Sequence, residues 1–308
     1  MEFSIERVAA MPTPLVRSAL APWVAGHLEA TPEARAALVD QLQRIVDAAS
    51  DGEIDSMRIT FANAGDTWRF HPADPLARRV TRAYMAAAVQ PWWFQGREPL
   101  DRFLTSPAKR RMVVCNHLSY TDTQVTDVVL ALAGQEAFAN RLVAIAGPKV
   151  YTEPWRRMAS IALNTRKTAQ SSRVASEQGA LGPRELAVVA LETLADAVRL
   201  MDQGYIVLLY PEGTRARHGR LQPFLRAAAR YLAIEGLEVM PLGQVGGEQV
   251  FPMEATIMRQ AAVNLVCGDS FLTADYAGKA AALEECHRRV AALLPDTYQP
   301  AAGSLRVD

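Results

Sequence analysis

The sequence predicts an α/β fold: a largely parallel sheet flanked by helices, preceded by a smaller, mainly helical N-terminal domain. Two observations carry this. Short apolar runs of strand length, at residues 112–115, 142–146 and 205–209, alternate with longer stretches whose apolar residues recur at helical spacing. Ahead of them, the first ninety or so residues carry helix-start signals and almost no strand signal. The expected division is therefore residues 1–90 for the helical domain and 91–308 for the α/β domain.

Residues 15–28 read as a helix. Thr31, Pro32 and Glu33 give the next one a cap, a proline in the first turn and an acid for the dipole. Its apolar face is Leu38, Leu42 and Val46, and Asp51-Gly52 is expected to end it. Residues 57–61 alternate weakly and suggest a strand. Asp74-Pro75 opens a helix that runs to about Val89, with Leu76, Val80 and Tyr84 on one side. Residues 93–100 read as a strand, and Trp92, Trp93 and Phe94 form an aromatic cluster suited to packing or to a membrane interface. The run at 112–115 is the central buried strand. Val125, Val128, Val129 and Leu132 then mark a helix that stops at Gly134. After the strand at 142–146, Glu153-Pro154 starts a short helix. The apolar run 161–163 reads as a strand that ends before Arg166 and Lys167, and residues 170–183 read as an exposed loop and possible lid. A helix over 184–203, the strand at 205–209, helical residues 224–234, strands at 239–242 and 263–267, and a helix over 279–294 complete the chain.

Chemistry concentrates where two strand candidates end. Asn116-His117 follows the central strand, and Asp122 comes after four intervening residues, in the first turn of the next helix. In open α/β sheets the carboxyl ends of the strands are where ligands bind. A carboxylate beside an imidazole fixes its tautomer and stabilises the imidazolium, which suits a general base acting on a hydroxyl. The competing assignment makes Asp122 a helix cap only. The strand at 205–209 is followed by Pro211-Glu212-Gly213-Thr214-Arg215, with Arg217 just beyond. Two arginines in one turn call for an anion, and the guanidinium fork suits phosphate.

The pair of stretches resembles the glycerolipid acyltransferases of the PlsC type. The N-H-x-x-x-x-D block is matched by Asn116, His117 and Asp122, and the P-E-G-T-R block by Pro211 to Arg215, about ninety residues later. The resemblance covers residues 92–252. It implies transfer of an acyl group from acyl-CoA or acyl carrier protein to a hydroxyl, with His117 and Asp122 as the catalytic dyad. It also implies substrate binding by Glu212, Gly213, Thr214, Arg215 and Arg217, and loosely by Arg166 and Lys167. Glycerol 3-phosphate is the expected acceptor, favoured by the basic Arg166-Lys167 pair. 1-Acylglycerol 3-phosphate, a non-phosphorylated acceptor and a non-catalytic lipid-binding role are the alternatives. So is an acyl-enzyme on Cys115, two residues before His117.

Composition adds bounds. Lysine plus arginine equal aspartate plus glutamate at 33 each, which gives no support for nucleic-acid binding. The basic run Lys109-Arg110-Arg111 reads as a solvated turn, or as an attraction for an anionic donor. Three widely spaced cysteines and five histidines form no ligand cluster, so neither a metal nor another cofactor is expected beyond the thioester co-substrate. No run of about twenty apolar residues and no leader pattern is present, so a cytoplasmic protein with at most peripheral membrane contact is expected.

Overall fold

The computed structural model describes residues 4–169, 181–216 and 218–300. The chain opens on four helices, α1 (Ile5–Ala10), α2 (Thr13–Ala25), α3 (Pro32–Asp47) and α4 (Asp51–Asn63). Thr31 caps α3 by accepting from the Ala34 N–H, as its sequence requires. Residues 51 and 52 begin α4 and do not merely end α3, because Ser50 and Glu53 close a reciprocal capping box. The expected strand at 57–61 lies inside this helix. Ile54, Met57 and Phe61 share its buried face at helical spacing.

Next come β1 (Phe70–His71), α5 (Pro75–Ala88, capped by Asp74), β2 (Val89–Gln95), α6 (Arg97–Thr105) and β3 (Arg110–Cys115). The strand expected over 93–100 thus stops at Gln95, and Leu100 belongs to α6. Then follow α7 (Asp122–Leu132), α8 (Glu136–Ala139), β4 (Leu142–Ala146), α9 (Pro154–Ile161) and β5 (Asn164–Lys167). The last part of the described chain holds α10 (Pro183–Asp202), β6 (Ile206–Leu209), α11 (Ala229–Leu232), β7 (Leu237–Val245), α12 (Gly247–Val250), β8 (Ala261–Cys267), β9 (Phe271–Leu272) and α13 (Lys279–Ala292). Residues 224–234 carry only a 3-10 turn and the short α11, where one helix was expected. Most of the loop expected at 170–183 lies outside the described residues.

The strands form one mixed sheet in the order β1-β5-β4-β6-β3-β7-β8-β2, with β9 beside the first part of β7. β5, β4, β6, β3 and β7 are mutually parallel, whereas β1, β8 and β9 run antiparallel to their neighbours β5 and β7. This is the predicted class, and β3 sits near its centre.

Alternation along each strand divides the core in two. Val113 and Cys115 face a layer built from α2–α5, α7 and α9. Met112 and Val114 face α10, α11 and α13. A strand buried on both faces needs an unbroken apolar run, which is why 112–115 was legible. The N-terminal helices pack into the same core as β3, and β1 adds a strand to the sheet beside β5. Among the described residues, no helix is long and apolar enough to cross a membrane.

The basic residues that open β3 are already partnered. Arg110 pairs with Asp202, and Arg111 donates to the carbonyls of Phe103 and Ser106.

Candidate active site

The end of β3 is fastened to β7 by a side chain. The Asn116 amide donates to the Gln244 carbonyl at 2.9 Å and accepts from the Gln244 N–H at 2.8 Å. Asn116 thereby continues the ladder for one more step where the backbone has begun to turn. The chain then reaches Asp122, the first residue of α7, whose amino-terminal dipole favours a carboxylate.

Asp122 is 1% exposed and surrounded by donors. Its Oδ2 accepts from His117 Nδ1 at 2.8 Å, the Leu118 N–H at 2.5 Å and the Ser119 N–H at 3.0 Å. Its Oδ1 accepts from Ser119 Oγ at 2.9 Å and from Gln244 Nε2 at 2.8 Å. The carboxylate has no proton to give, so Nδ1 of His117 carries the hydrogen and Nε2 is the basic nitrogen. Gln244 is itself oriented by Thr126 Oγ1, which donates to its Oε1 at 3.1 Å. Gly247 makes room for this arrangement. A Cβ there would lie 2.5 Å from Gln244 Nε2 and 2.8 Å from Asp122 Oδ1.

Glu212 has a different role from the one its block suggested. Its Oε1 accepts from the His117 backbone N–H at 2.6 Å and its Oε2 from the Gln222 N–H at 2.8 Å. The Ala216 N–H donates to the His117 carbonyl at 2.8 Å. The loop after β6 therefore holds the backbone of His117 from both sides, and Glu212 is a positioning residue that does not line the cavity. Burial, opposed by the Gln222 and His117 N–H donors, pushes its carboxyl up to about 8. A raised folded-state pKa means more proton bound in the folded state. The stability gained this way is full below about 4.5, the ordinary value, and is lost as pH rises through about 8. Glu212→Gln should abolish that part of the pH slope in thermal melts. It should also cost about 1–3 kcal/mol, since one amide oxygen cannot serve two N–H donors. Identical pH slopes in the two proteins would mean that Glu212 stays ionised.

The remaining block residues separate. Gly213 has φ +66° and carries no Cβ because one would meet Leu225 Cδ1 at 2.3 Å. It lines the cavity, whereas Thr214 is exposed and does not. Arg215 lays its guanidinium 3.7 Å from the centroid of Tyr120. Arg217 lies outside the described residues.

Arg166 and Lys167 do not join His117. The apolar residues before them end α9, and the strand is the polar segment Asn164–Lys167 itself. Arg166 is buried and paired with Asp196 at 2.6 Å. Lys167 donates to the Gly65 carbonyl and stacks on Trp68. β5 also lies three places from β3 in the sheet, about 14 Å at one strand spacing each. The acceptor-binding role that the resemblance loosely implied for Arg166 and Lys167 is therefore not supported by where they lie.

A cavity of about 460 Å³ opens where β3, β4 and β6 end. His117, Ser119, Tyr120 and Thr123, with Lys149, Thr168 and Arg230, make up its polar lining, and Tyr210 stacks obliquely on His117 at 4.8 Å. Much of its wall is apolar: Ala144, Ile145, Leu186, Ala190, Leu209 and Leu225. A more open groove of about 880 Å³ runs past Trp68, Phe70, Arg166 and Asp196. It contains neither His117 nor any of its partners, so the smaller cavity is the candidate site. Cys115 faces the core, not this cavity, and burial together with the Asp122 and Glu212 charges pushes its thiol well above the usual range. That geometry excludes the acyl-enzyme alternative. Among the described residues, no group of three metal-ligating side chains converges.

The family model described as Acyltransferase matches residues 94–244. Over 62 residues the chain is 34% identical to a chloroplastic 1-acyl-sn-glycerol-3-phosphate acyltransferase of Brassica napus. That match spans 20% of this chain and 18% of the Brassica protein. The crystal structure of the 1-acyl-sn-glycerophosphate (LPA) acyltransferase PlsC of Thermotoga maritima is similar with a TM-score of 0.47 and 13% identity. That similarity covers 90% of this chain and 94% of the Thermotoga chain.

Proposed function

We propose, since this chain belongs to the PlsC-type acyltransferase family, that it moves a fatty acyl group from a thioester to the free hydroxyl of 1-acylglycerol 3-phosphate. The observation that carries this is the His117–Asp122 pair on the polar side of a largely apolar cavity. A hydroxyl is a poor nucleophile at neutral pH. His117 Nε2 takes its proton as the oxygen attacks the thioester carbonyl, and Asp122 stabilises the imidazolium. Collapse of the tetrahedral intermediate breaks the carbon–sulfur bond, and the imidazolium returns its proton to the departing sulfur. No covalent enzyme intermediate is needed. The donor is acyl-CoA or acyl carrier protein.

Glycerol 3-phosphate is the weaker acceptor in this reading. The basic pair that favoured it, Arg166 and Lys167, is occupied by Asp196 and Gly65. The name of the Brassica relative points to the acylated acceptor. The test is thiol release by the purified full chain, with both donors against 1-acylglycerol 3-phosphate, glycerol 3-phosphate and a neutral monoacylglycerol. The first acceptor should exceed the second by about tenfold or more in kcat/KM, worth about 1.4 kcal/mol. Turnover of the neutral acceptor alone overturns the proposal.

Peripheral membrane contact belongs to the same proposal, since the acceptor is a lipid. Trp92 and Phe94 pack against the core, whereas Trp93, on the opposite face of the edge strand β2, is 51% exposed. Trp93→Ala should reduce flotation with liposomes at least severalfold. Equal flotation of variant and wild type removes Trp93 as the contact.

A further inference from the structure

We infer that Arg156, on α9, forms with Arg215 the anion subsite that receives the acceptor's phosphate. This rests on the phosphorylated acceptor proposed above. Both guanidiniums lie over the ring of Tyr120, Arg156 at 4.1 Å and Arg215 at 3.7 Å from its centroid. Placed on one ring, the two cations are nearer to each other than the screening length of physiological salt, about 8 Å, and they repel. Among the described residues, neither has a carboxylate partner or a side-chain hydrogen bond, and Arg215 Nη1 is buried with nothing to donate to. Other partly buried arginines are paired: Arg82 with Asp127, Arg110 with Asp202, Arg166 with Asp196. A face of Tyr120 stabilises a cation, but it satisfies none of the in-plane N–H groups of a guanidinium. An oxyanion beside the ring satisfies both forks and cancels the repulsion.

The position suits the chemistry. Tyr120 lines the same cavity as His117 and is three residues further along the chain. The two supports of the subsite are tied to the catalytic frame. Gln124 of α7, the helix that starts at Asp122, donates to the Ala159 carbonyl of α9 at 3.1 Å. The neighbouring Arg157 shows what a structural arginine looks like here. It is buried and donates to the carbonyls of Tyr151, Phe61 and Ala62. Arg156, one residue earlier, lies over the Tyr120 ring instead and meets no acceptor among the described residues.

The experiment compares wild type, Arg156→Gln, Arg156→Lys, Tyr120→Phe and Tyr120→Leu. Three quantities are read with the full chain: KM for 1-acylglycerol 3-phosphate, KM for acyl-CoA, and the inhibition constant of inorganic phosphate against the acceptor. Arg156→Gln should raise the acceptor KM and the phosphate inhibition constant together by about tenfold or more, the usual weight of a charge-assisted hydrogen bond. The donor KM and kcat should change by less than about twofold. Arg156→Lys should recover part of the loss. Tyr120→Phe keeps the ring under both guanidiniums and should raise the acceptor KM less than Tyr120→Leu, which should resemble Arg156→Gln. An unchanged acceptor KM and phosphate constant in a folded Arg156→Gln protein overturns the inference and leaves the proposed reaction standing. If wild type turns over no phosphorylated acceptor, the proposed reaction fails. The subsite is then judged by calorimetric titration with inorganic phosphate: wild-type binding that Arg156→Gln abolishes retains it, and no wild-type binding ends it.

Discussion

Replacing His117 with alanine is expected to lower kcat by about 10²- to 10⁴-fold, the usual weight of a positioned general base, in a protein that keeps its fold. The two expectations separate because the backbone and the imidazole of this residue are held by different partners. Glu212 and Ala216 hold the backbone N–H and carbonyl, and both bonds survive the substitution. The ring is only half-buried, with Asp122 and Tyr210 as its neighbours. Its loss should cost no more than about 1 kcal/mol of stability. Thiol release under single-turnover conditions gives the rate, and near-ultraviolet circular dichroism gives the fold. A folded variant within tenfold of the wild-type rate would mean that another group takes the proton.

Asp122→Asn should damage both rate and stability. The carboxylate accepts from His117, Leu118, Ser119 and Gln244, and every one of these is a donor. An amide of the same shape offers one oxygen and an NH2 that meets donors head-on. The expected cost is about 1–3 kcal/mol for each donor left unpaired, so the melting temperature should fall by several degrees. The rate should fall by about 10²- to 10⁴-fold, because Nδ1 loses the acceptor that fixes the tautomer and the imidazolium loses its counter-charge. A stable variant with an unchanged rate would reduce Asp122 to the first residue of a helix.

The parts of the fold that were legible are those where local pattern and tertiary environment agree. β3 and β6 are apolar because they are buried on both faces, and α3 and α5 begin where Thr31-Pro32 and Asp74-Pro75 announce them. β5 was misplaced because it is a buried strand without an apolar residue. Asn164 donates to the carbonyls of Asn140 and Leu142, Thr165 meets the Tyr151 hydroxyl, and Arg166 and Lys167 have their own partners. Hydropathy cannot register a segment whose burial depends on acceptors distant in the chain. Residues 57–61 of α4 suggested a strand for a simpler reason, since the five residues from Met57 to Phe61 fit either period.

The site divides in the same way. His117 and Asp122 are visible because their spacing places them across one tight turn. Gln244 is not, because it reaches Asp122 across 122 residues of sequence and carries no local signature. Arg156 and Arg157 are adjacent and identical in type, and only their surroundings tell them apart. Glu212 was visible as a functional acid, but its use of both oxygens on backbone N–H groups was not.

The pairing of β2 with β8 bears on how such a chain comes off the ribosome. Gln95 and Asn264 touch across 169 residues. At about 5–20 residues per second, synthesis leaves β2 waiting on the order of ten seconds for its neighbour. During that interval Trp92 and Phe94, which later pack against the core, have no finished surface to cover them. The N-terminal helices wait as well, since their apolar faces close on β3 and β8. Trp92 and Phe94 are thus expected to stay uncovered through much of elongation, until the strand that ends at Cys267 has been made.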